Sequence, residues 1–367
     1  MNPSKVTWRL PMVTLALAVG GLSLSPLADP GLASANTTTT TTSGPTTSTT
    51  STTTTSTTTT TMATTTTSTT TTVPTTRTQT NLVWPSMGSA AFAIPQLQVG
   101  AASPSQRPLP IASLTKMMTM WIVLHEYPIS NSNLGACETV NAHDMVLYRQ
   151  DVAQQQSLVQ IAKNQHICER TLLRGIIVHS AGDYAQLLAQ LTHLSTPQFV
   201  ALMNRDAAKL GMLHTHYVDE TGIGNGDVST AQDQTILTVA LMTNEPVVRS
   251  IAVLTRVWLP VQGVVGTFTP DLGVDGVVGV KSGYTYAAGG CDAMAVNLKL
   301  GAATITTYIV VLGQQSSSAL ALSGQVALAL YHSLRPSIAR VVTPTGVHVE
   351  WVGSTSDLVG TTSSSPS

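Results

Sequence analysis

The chain has 367 residues, 17 Lys+Arg against 18 Asp+Glu, and a formal net charge of −1. That balance excludes a general electrostatic attraction to nucleic acid or to an acidic surface. Charged residues are only 10% of the chain, against roughly a quarter in an average globular protein, partly because of one long uncharged tract near the start.

Residues 1–35 read as an export signal. Lys5 and Arg9 form the positive start, "LPMVTLALAVGGLSLSPL" the apolar stretch, and Ala33-Ser34-Ala35 the small-residue cleavage pattern. An uncleaved membrane anchor is the alternative, since no charge occurs between Arg9 and Asp29; the Gly, Ser and Pro inside the run favour cleavage. The mature chain is thus expected outside the cytoplasm, in the cell wall or periplasm, with the N-terminal segment as its one route to a membrane. Residues 36–82 are almost entirely Thr and Ser. Such a segment buries too little apolar surface to offset its ordering entropy, so it reads as a disordered linker of the kind found in O-glycosylated stalks.

A folded region is expected over 83–340, long enough for one domain with a sizeable core. The remainder, 341–367, is a short tail with one strand-like run, "GVHVEWVG". Within the domain, "AAFAI" (90–94) and "LQVGA" (97–101) predict an opening pair of strands around Pro95. A helix is expected over 113–126, apolar on nearly every side and therefore internal. A polar stretch, 130–165, carries Cys137. The spacing of Leu172, Leu173, Ile176 and Ile177, resumed at Leu187, Leu188 and Leu191, predicts two helices around the turn Ser180-Ala181-Gly182. A further helix covers 197–212, with Pro197 at its start, and Ser229-Thr230-Ala231-Gln232 reads as the capping box of the next. From Gly276 onward, "GVVGVKSG", "GCDAMAVNL" and "TITTYIVVLG" predict antiparallel strands, and "SSALALSGQVALALYHSL" a closing helix. The order predicts an α+β domain, with helices packed on one antiparallel sheet.

Three cysteines in an exported chain allow one internal bridge. Cys137 and Cys168 flank the same polar region and are the expected partners, leaving Cys291 as a buried thiol. His214 and His216 form an H-x-H pair with no third ligand nearby, so a structural role is expected and no metal site.

Ser113 and Lys116 stand three apart at the buried start of the internal helix, so one turn brings hydroxyl and amine together. Burial lowers a lysine's pKa, and a neutral amine takes a serine proton. Lys281-Ser282-Gly283 at a strand end offers a cation and a hydroxyl beside a position where a ligand backbone approaches closely. Ser113-x-x-Lys116, Ser180-x-Gly182 and Lys281-Ser282-Gly283 together resemble the three-part signature of β-lactamases and penicillin-binding proteins, with Ser282 in place of the family threonine, which keeps the hydroxyl. Over residues 88–334 the chain resembles the serine D-alanyl-D-alanine carboxypeptidases, the low-molecular-mass penicillin-binding proteins. The likeness extends to "LLRGIIVHSAGDYA", "FVALMNRDAAKLGMLHTHYVDETGI" and "DGVVGVKSGYTYAAGGC".

The resemblance implies a β-lactamase/transpeptidase-like fold, in which a buried central helix and a helical subdomain accompany the sheet. It makes Ser113 the nucleophile, Lys116 its base, and Ser180 the relay to the leaving amine. Lys281 and Ser282 would hold the substrate carboxylate, Gly283 would line its path, and the N–H groups of Ser113 and Tyr284 would form the oxyanion hole. The implied substrates are peptidoglycan stem peptides ending in D-Ala-D-Ala, with β-lactams as acylating ligands and no metal or organic cofactor. Gly182 departs from the pattern. The family's asparagine at that position bonds the substrate amide and steadies the lysine, so its loss predicts slow acylation unless a neighbouring group takes over. Two rivals follow from the same residues: a peptidoglycan-binding module with weak turnover, and a β-lactamase. The second lacks the E-x-x-L-N carboxylate, which Glu220 in "DETGIGNG" does not reproduce.

Overall fold

The computed structural model describes residues 81–343 and 346–353. The expected signal, nearly all of the Thr/Ser linker and the end of the tail lie outside these residues. The chain begins with β1 (Ser89–Ile94) and β2 (Val99–Ala102), an antiparallel pair turning at Pro95. The two-residue strand β3 (Leu109–Pro110) then leads to α1 (Thr115–Glu126). Thr115 to Leu124 of α1 are all buried, as the absence of a polar stripe requires. The helix does not begin at Ser113, as the sequence predicted: residues Ala112–Leu114 form a tighter 3₁₀ turn ahead of it.

In the polar stretch that followed, β4 (Cys137–Thr139), α2 (Ala142–Ala153) and β5 (His166–Cys168) are defined. Helix α2 has no apolar face to announce it. It starts because Asn141 accepts from the His143 and Asp144 amides while Asp144 accepts from the Asn141 amide, closing a capping box. Strands β4 and β5 pair with Cys137 directly opposite Cys168, and the two are joined by a disulfide. Its 31-residue separation corresponds to about 3 kcal/mol on the chain-entropy estimate. Thiol counting on unreduced, denatured protein is expected to return one free cysteine, Cys291; three would contradict the bridge.

Next come α3 (Glu169–His179), α4 (Gly182–Gln190) and α5 (Thr196–Leu210), close to their predicted positions. Strand β6 (Val228–Ser229) precedes α6 (Ala231–Asn244). The cap of α6 is Thr230, whose hydroxyl accepts from the Asp233 amide, and not Ser229. Ser229 belongs to β6, and its hydroxyl pairs with Thr215 and Gln234 instead. Helix α7 (Pro246–Ala252) and the hairpin β7 (Arg256–Leu259) and β8 (Gly263–Gly266) were not predicted. Then follow β9 (Val277–Thr285), β10 (Gly289–Leu300), β11 (Ala303–Gln314) and α8 (Ala319–Leu334). A last hairpin, β12 (Ile338–Thr343) and β13 (Gly346–Trp351), spans the residue 340 boundary read from the sequence. It brings Val349 and Trp351 against the core around Phe92.

The main sheet has five antiparallel strands in the order β2-β1-β11-β10-β9, the α+β architecture expected. One face, with Ala91, Ala93, Ala293, Ala295 and Val310, packs on α1 and the helices around it. The other, with Phe92, Met294, Val296 and Val311, packs under α8. Strand β9 is at the sheet's edge, so one of its sides is available beside the start of α1.

Glu169, the first residue of α3, is 0% exposed, and its carboxyl group has no side-chain partner among the described residues. Burial raises its pKa to about 7. The folded state therefore holds a proton that the unfolded chain releases near the ordinary value of 4.5. Stability falls as pH rises from there to about 7, and stays reduced above. Glu169→Gln is expected to stabilise the fold at pH 8 by about 1–3 kcal/mol and to change little at pH 4. Denaturant unfolding of both proteins at the two pH values checks this; equal midpoints at pH 8 would remove the charge argument.

Candidate active site

The site forms where the turn before α1, the loop before β6, the α3–α4 turn and the edge of β9 converge. Pro108 and Pro110 keep the approach to the turn extended. The Ile111 amide donates to the Asp227 carbonyl, and the Thr115 hydroxyl to the Asp227 carboxylate. Anchored on both sides, Ala112 takes a left-handed conformation, φ +49°. That is unusual for a residue with a Cβ and is maintained only where the surroundings over-determine it. It leaves Ser113 partly exposed at the tip of the turn.

Lys116 lies one turn on, 3% exposed. Its Nζ donates to Ser113 Oγ at 2.9 Å and to the Thr221 carbonyl at 2.6 Å. Burial lowers its pKa from 10.5 to about 8, against the opposing pull of Asp219, Asp183, Asp227 and Glu220. At pH 7 roughly a tenth of the amine is therefore neutral, where an unperturbed lysine would hold well under a thousandth.

The Thr221 carbonyl is placed by Asp219. One oxygen of that carboxylate accepts from the Thr221 amide and hydroxyl and from the Gly222 amide; the other accepts from the Gly224 amide. Gly222 has φ +81°, and a Cβ there would lie 1.9 Å from the Ala112 carbonyl oxygen. This contact was invisible in the sequence because the acceptor is a backbone atom. The only signal was the T-G pair in "DETGI".

Ser180 caps α3 in the left-handed region, φ 58° and ψ 26°. Its hydroxyl accepts from Lys281 Nζ at 2.8 Å, and the same amine donates to the Ser282 carbonyl at 2.6 Å. Lys281 is 1% exposed and does not line the cleft. Its pKa is pushed down, by burial first and by Lys116 second. Through its bond to Ser180, Lys281 stands directly beside that residue, which does line the cleft. Ser282 does line the cleft, its hydroxyl donating to the Phe268 carbonyl. Tyr284 follows, half exposed. At Gly283 a Cβ would lie 2.7 Å from the Ser113 nitrogen and 3.1 Å from Ala112 Cβ, so the missing side chain is what lets β9 meet the turn.

These groups share a cleft of about 300 Å³ that also takes in Gln155, Gln156, Ser157, Ile223 and Leu320. The sequence had not singled out Phe268 or the Gln155–Ser157 segment, whose contributions depend on chain reversals. Gly182 opens α4, and its amide donates to the Ser157 carbonyl at 2.8 Å. A Cβ there would lie 3.0 Å from Gln156 Oε1 and 3.5 Å from the Ser157 carbonyl oxygen. Glu220 lines a separate cavity with Asn141, Asp144 and Phe199. His214 and His216 are exposed, the His214 amide bonded to Asp233 and the His216 backbone to Val228. Cys291 is buried with its thiol directed at the Pro110 carbonyl. Chemically, the cleft offers a hydroxyl beside a partly neutral amine, a second hydroxyl bonded to a second amine, and an open strand edge for an extended peptide.

A family model described as D-alanyl-D-alanine carboxypeptidase matches residues 98–315. The chain belongs to that family. Members similar to it include D-alanyl-D-alanine carboxypeptidase DacD of Salmonella typhimurium, 32% identical over 137 residues, covering 37% of this chain and 35% of the relative. A D-alanyl-D-alanine endopeptidase of Pseudomonas aeruginosa is 35% identical over 133 residues, covering 36% and 39%. The matched segments thus span well under two thirds of these relatives' lengths. Among solved structures, penicillin binding protein 6B of Escherichia coli superposes with a TM-score of 0.62 at 23% identity, over 75% of this chain and 86% of that one. The D-alanyl-D-alanine carboxypeptidase DacD of Francisella tularensis gives 0.61 at 19%, over 72% and 74%. At such identities the superpositions establish the family's fold.

Proposed function

We propose that the protein is a serine D-alanyl-D-alanine carboxypeptidase acting on peptidoglycan stem peptides through an acyl-enzyme on Ser113. The observation that carries this is the 2.9 Å contact between Ser113 Oγ and a Lys116 amine whose pKa is near 8. Lys116 takes the hydroxyl proton as Ser113 Oγ attacks the carbonyl of the penultimate D-alanine. The amides of Ser113 and Tyr284 face the developing oxyanion, while β9 aligns the peptide along its free edge. Ser180 passes a proton to the departing D-alanine amine, with Lys281 donating to Ser180. Ser282 meets the substrate carboxylate. Water then resolves the ester.

The carboxypeptidase reading is favoured over a β-lactamase because, among the described residues, no Asp or Glu lines the cleft. Without a carboxylate to activate water, a penicilloyl ester should persist. The substrate is extracytoplasmic, in keeping with the export signal read at residues 1–35. Labelled benzylpenicillin should give one stable adduct, mapped to Ser113, and a pentapeptide stem should release D-alanine. An adduct elsewhere, or none on folded protein, would overturn the assignment.

A further inference from the structure

Gln156 follows the end of α2, is only partly exposed, and lines the cleft together with residues of β9. Its side chain is not free to turn. Gln156 Nε2 donates to Asp151 Oδ1 at 2.8 Å and to Gln154 Oε1 at 3.2 Å. Both partners are acceptors, so the amide can be placed in one orientation alone, nitrogen toward Asp151 and oxygen away. Asp151 is buried and is held in turn by Gln186 Nε2 on α4, at 3.0 Å to its second oxygen. The Gln156 backbone N–H donates to the Asp151 backbone carbonyl as well, at 3.1 Å. Gln156 Oε1 accepts no hydrogen bond among the described residues, and it stands 3.0 Å from where a Cβ would lie on Gly182.

A glycine at the first position of α4 and a glutamine filling the space beside it are therefore two halves of one arrangement. A larger residue at 182 would press on the Gln156 carbonyl, which must then give by a few tenths of an ångström. We propose that Gln156 is a substrate-binding residue, whose fixed Oε1 accepts a hydrogen bond from a backbone N–H of the peptide lying between β9 and α4. The edge of β9 supplies backbone groups on one side of an extended peptide, and Gln156 supplies the acceptor on the other. This rests on the cleft being the peptide site, and it adds a specificity element: a donor on the ligand is preferred at this point, where an asparagine at 182 could offer donor or acceptor.

The test uses Ser113→Ala protein, which binds without turning over, and a peptide ending in D-Ala-D-Ala, with affinity read by calorimetry. Gln156→Ala in that background is expected to weaken binding about tenfold, as for one lost hydrogen bond. With Ser113 intact, it is expected to slow acylation by the peptide to a similar extent. Gly182→Asn alone should bring no gain, because its side chain must share the space that Gln156 Oε1 fills. The double variant Gln156→Ala/Gly182→Asn should recover most of the loss, which a purely structural role for Gln156 would not produce. Gln156→Met, of similar length and without an amide, serves if the alanine variant loses its fold; misfolding of both would make Gln156 structural and overturn the proposal. Affinity within twofold of the parent in Gln156→Ala, or faster acylation in Gly182→Asn alone, would also overturn it. Tight binding with no acylation of the Ser113 protein would instead sink the carboxypeptidase reading and leave Gln156 in place.

Discussion

Replacing Lys116 by methionine is expected to slow acylation of Ser113 by about 10²–10⁴-fold, the range for removing a positioned general base. Methionine keeps the apolar stem against the core and removes only the amine that reaches Ser113 Oγ and the Thr221 carbonyl. Burial of that amine is also expected to shape the pH profile. Because its pKa is lowered to about 8, the neutral form grows tenfold per pH unit below that value. Acylation by wild type should accordingly rise between pH 6 and 8 and level off above. The residual rate of Lys116→Met should lack this limb. Stopped-flow acylation by benzylpenicillin across pH 6–10 measures both. A variant within tenfold of wild type, or one that keeps the same limb, would mean that another group takes the proton.

Gly283→Ala is the second large effect expected. The new Cβ would lie 2.7 Å from the Ser113 nitrogen and 3.3 Å from the Ile111 carbonyl oxygen, both backbone atoms in an anchored turn. Strand and turn must separate, at a cost of about 1–3 kcal/mol as for overpacking elsewhere. A displacement near 1 Å at a reacting centre costs on the order of 10² in rate. Acylation should therefore fall about a hundredfold while the protein still folds. Gly266→Ala in β8 is the matched control, since a Cβ there meets only the Thr255 carbonyl oxygen at 3.9 Å. Equal rates for the two variants would show that the contact between β9 and the turn does not position Ser113.

Much of the fold could be read from pattern. The all-apolar run of α1, the period of α3 and α4, and the Gly-punctuated strands β9 to β11 each carry a local signal that survives folding. Helix α2, helix α7 and the β7–β8 hairpin escaped notice. Helix α2 has little amphipathicity and depends on its Asn141–Asp144 cap, while α7 follows α6 after a break at Glu245. The cap of α6 moved by one residue because Ser229 had a better partner across the chain in Thr215. Local chemistry offers several caps, and long-range hydrogen bonds choose among them.

Within the site, the sequence by itself singled out Ser113, Lys116, Ser180 and Ser282, which the fold brings to one cleft. A serine and a lysine three apart at a helix start are brought together by one turn, here with Ser113 in the 3₁₀ turn and Lys116 in α1, and a buried lysine loses basicity. Tertiary structure alone decided three other features. Thr221 completes the environment of Lys116 through a carbonyl oxygen, which every residue possesses and no composition reveals. Lys281 is bonded to Ser180, 101 positions earlier in the chain, because β9 and the α3–α4 turn meet in space. Gln156 occupies the space beside Gly182 although 26 positions separate them in the chain, because α2 ends there and folds its last turn against the start of α4. A motif records the side chains that react. The carbonyls, depths and vacancies around them come from distant segments meeting in space, and no local pattern encodes that meeting.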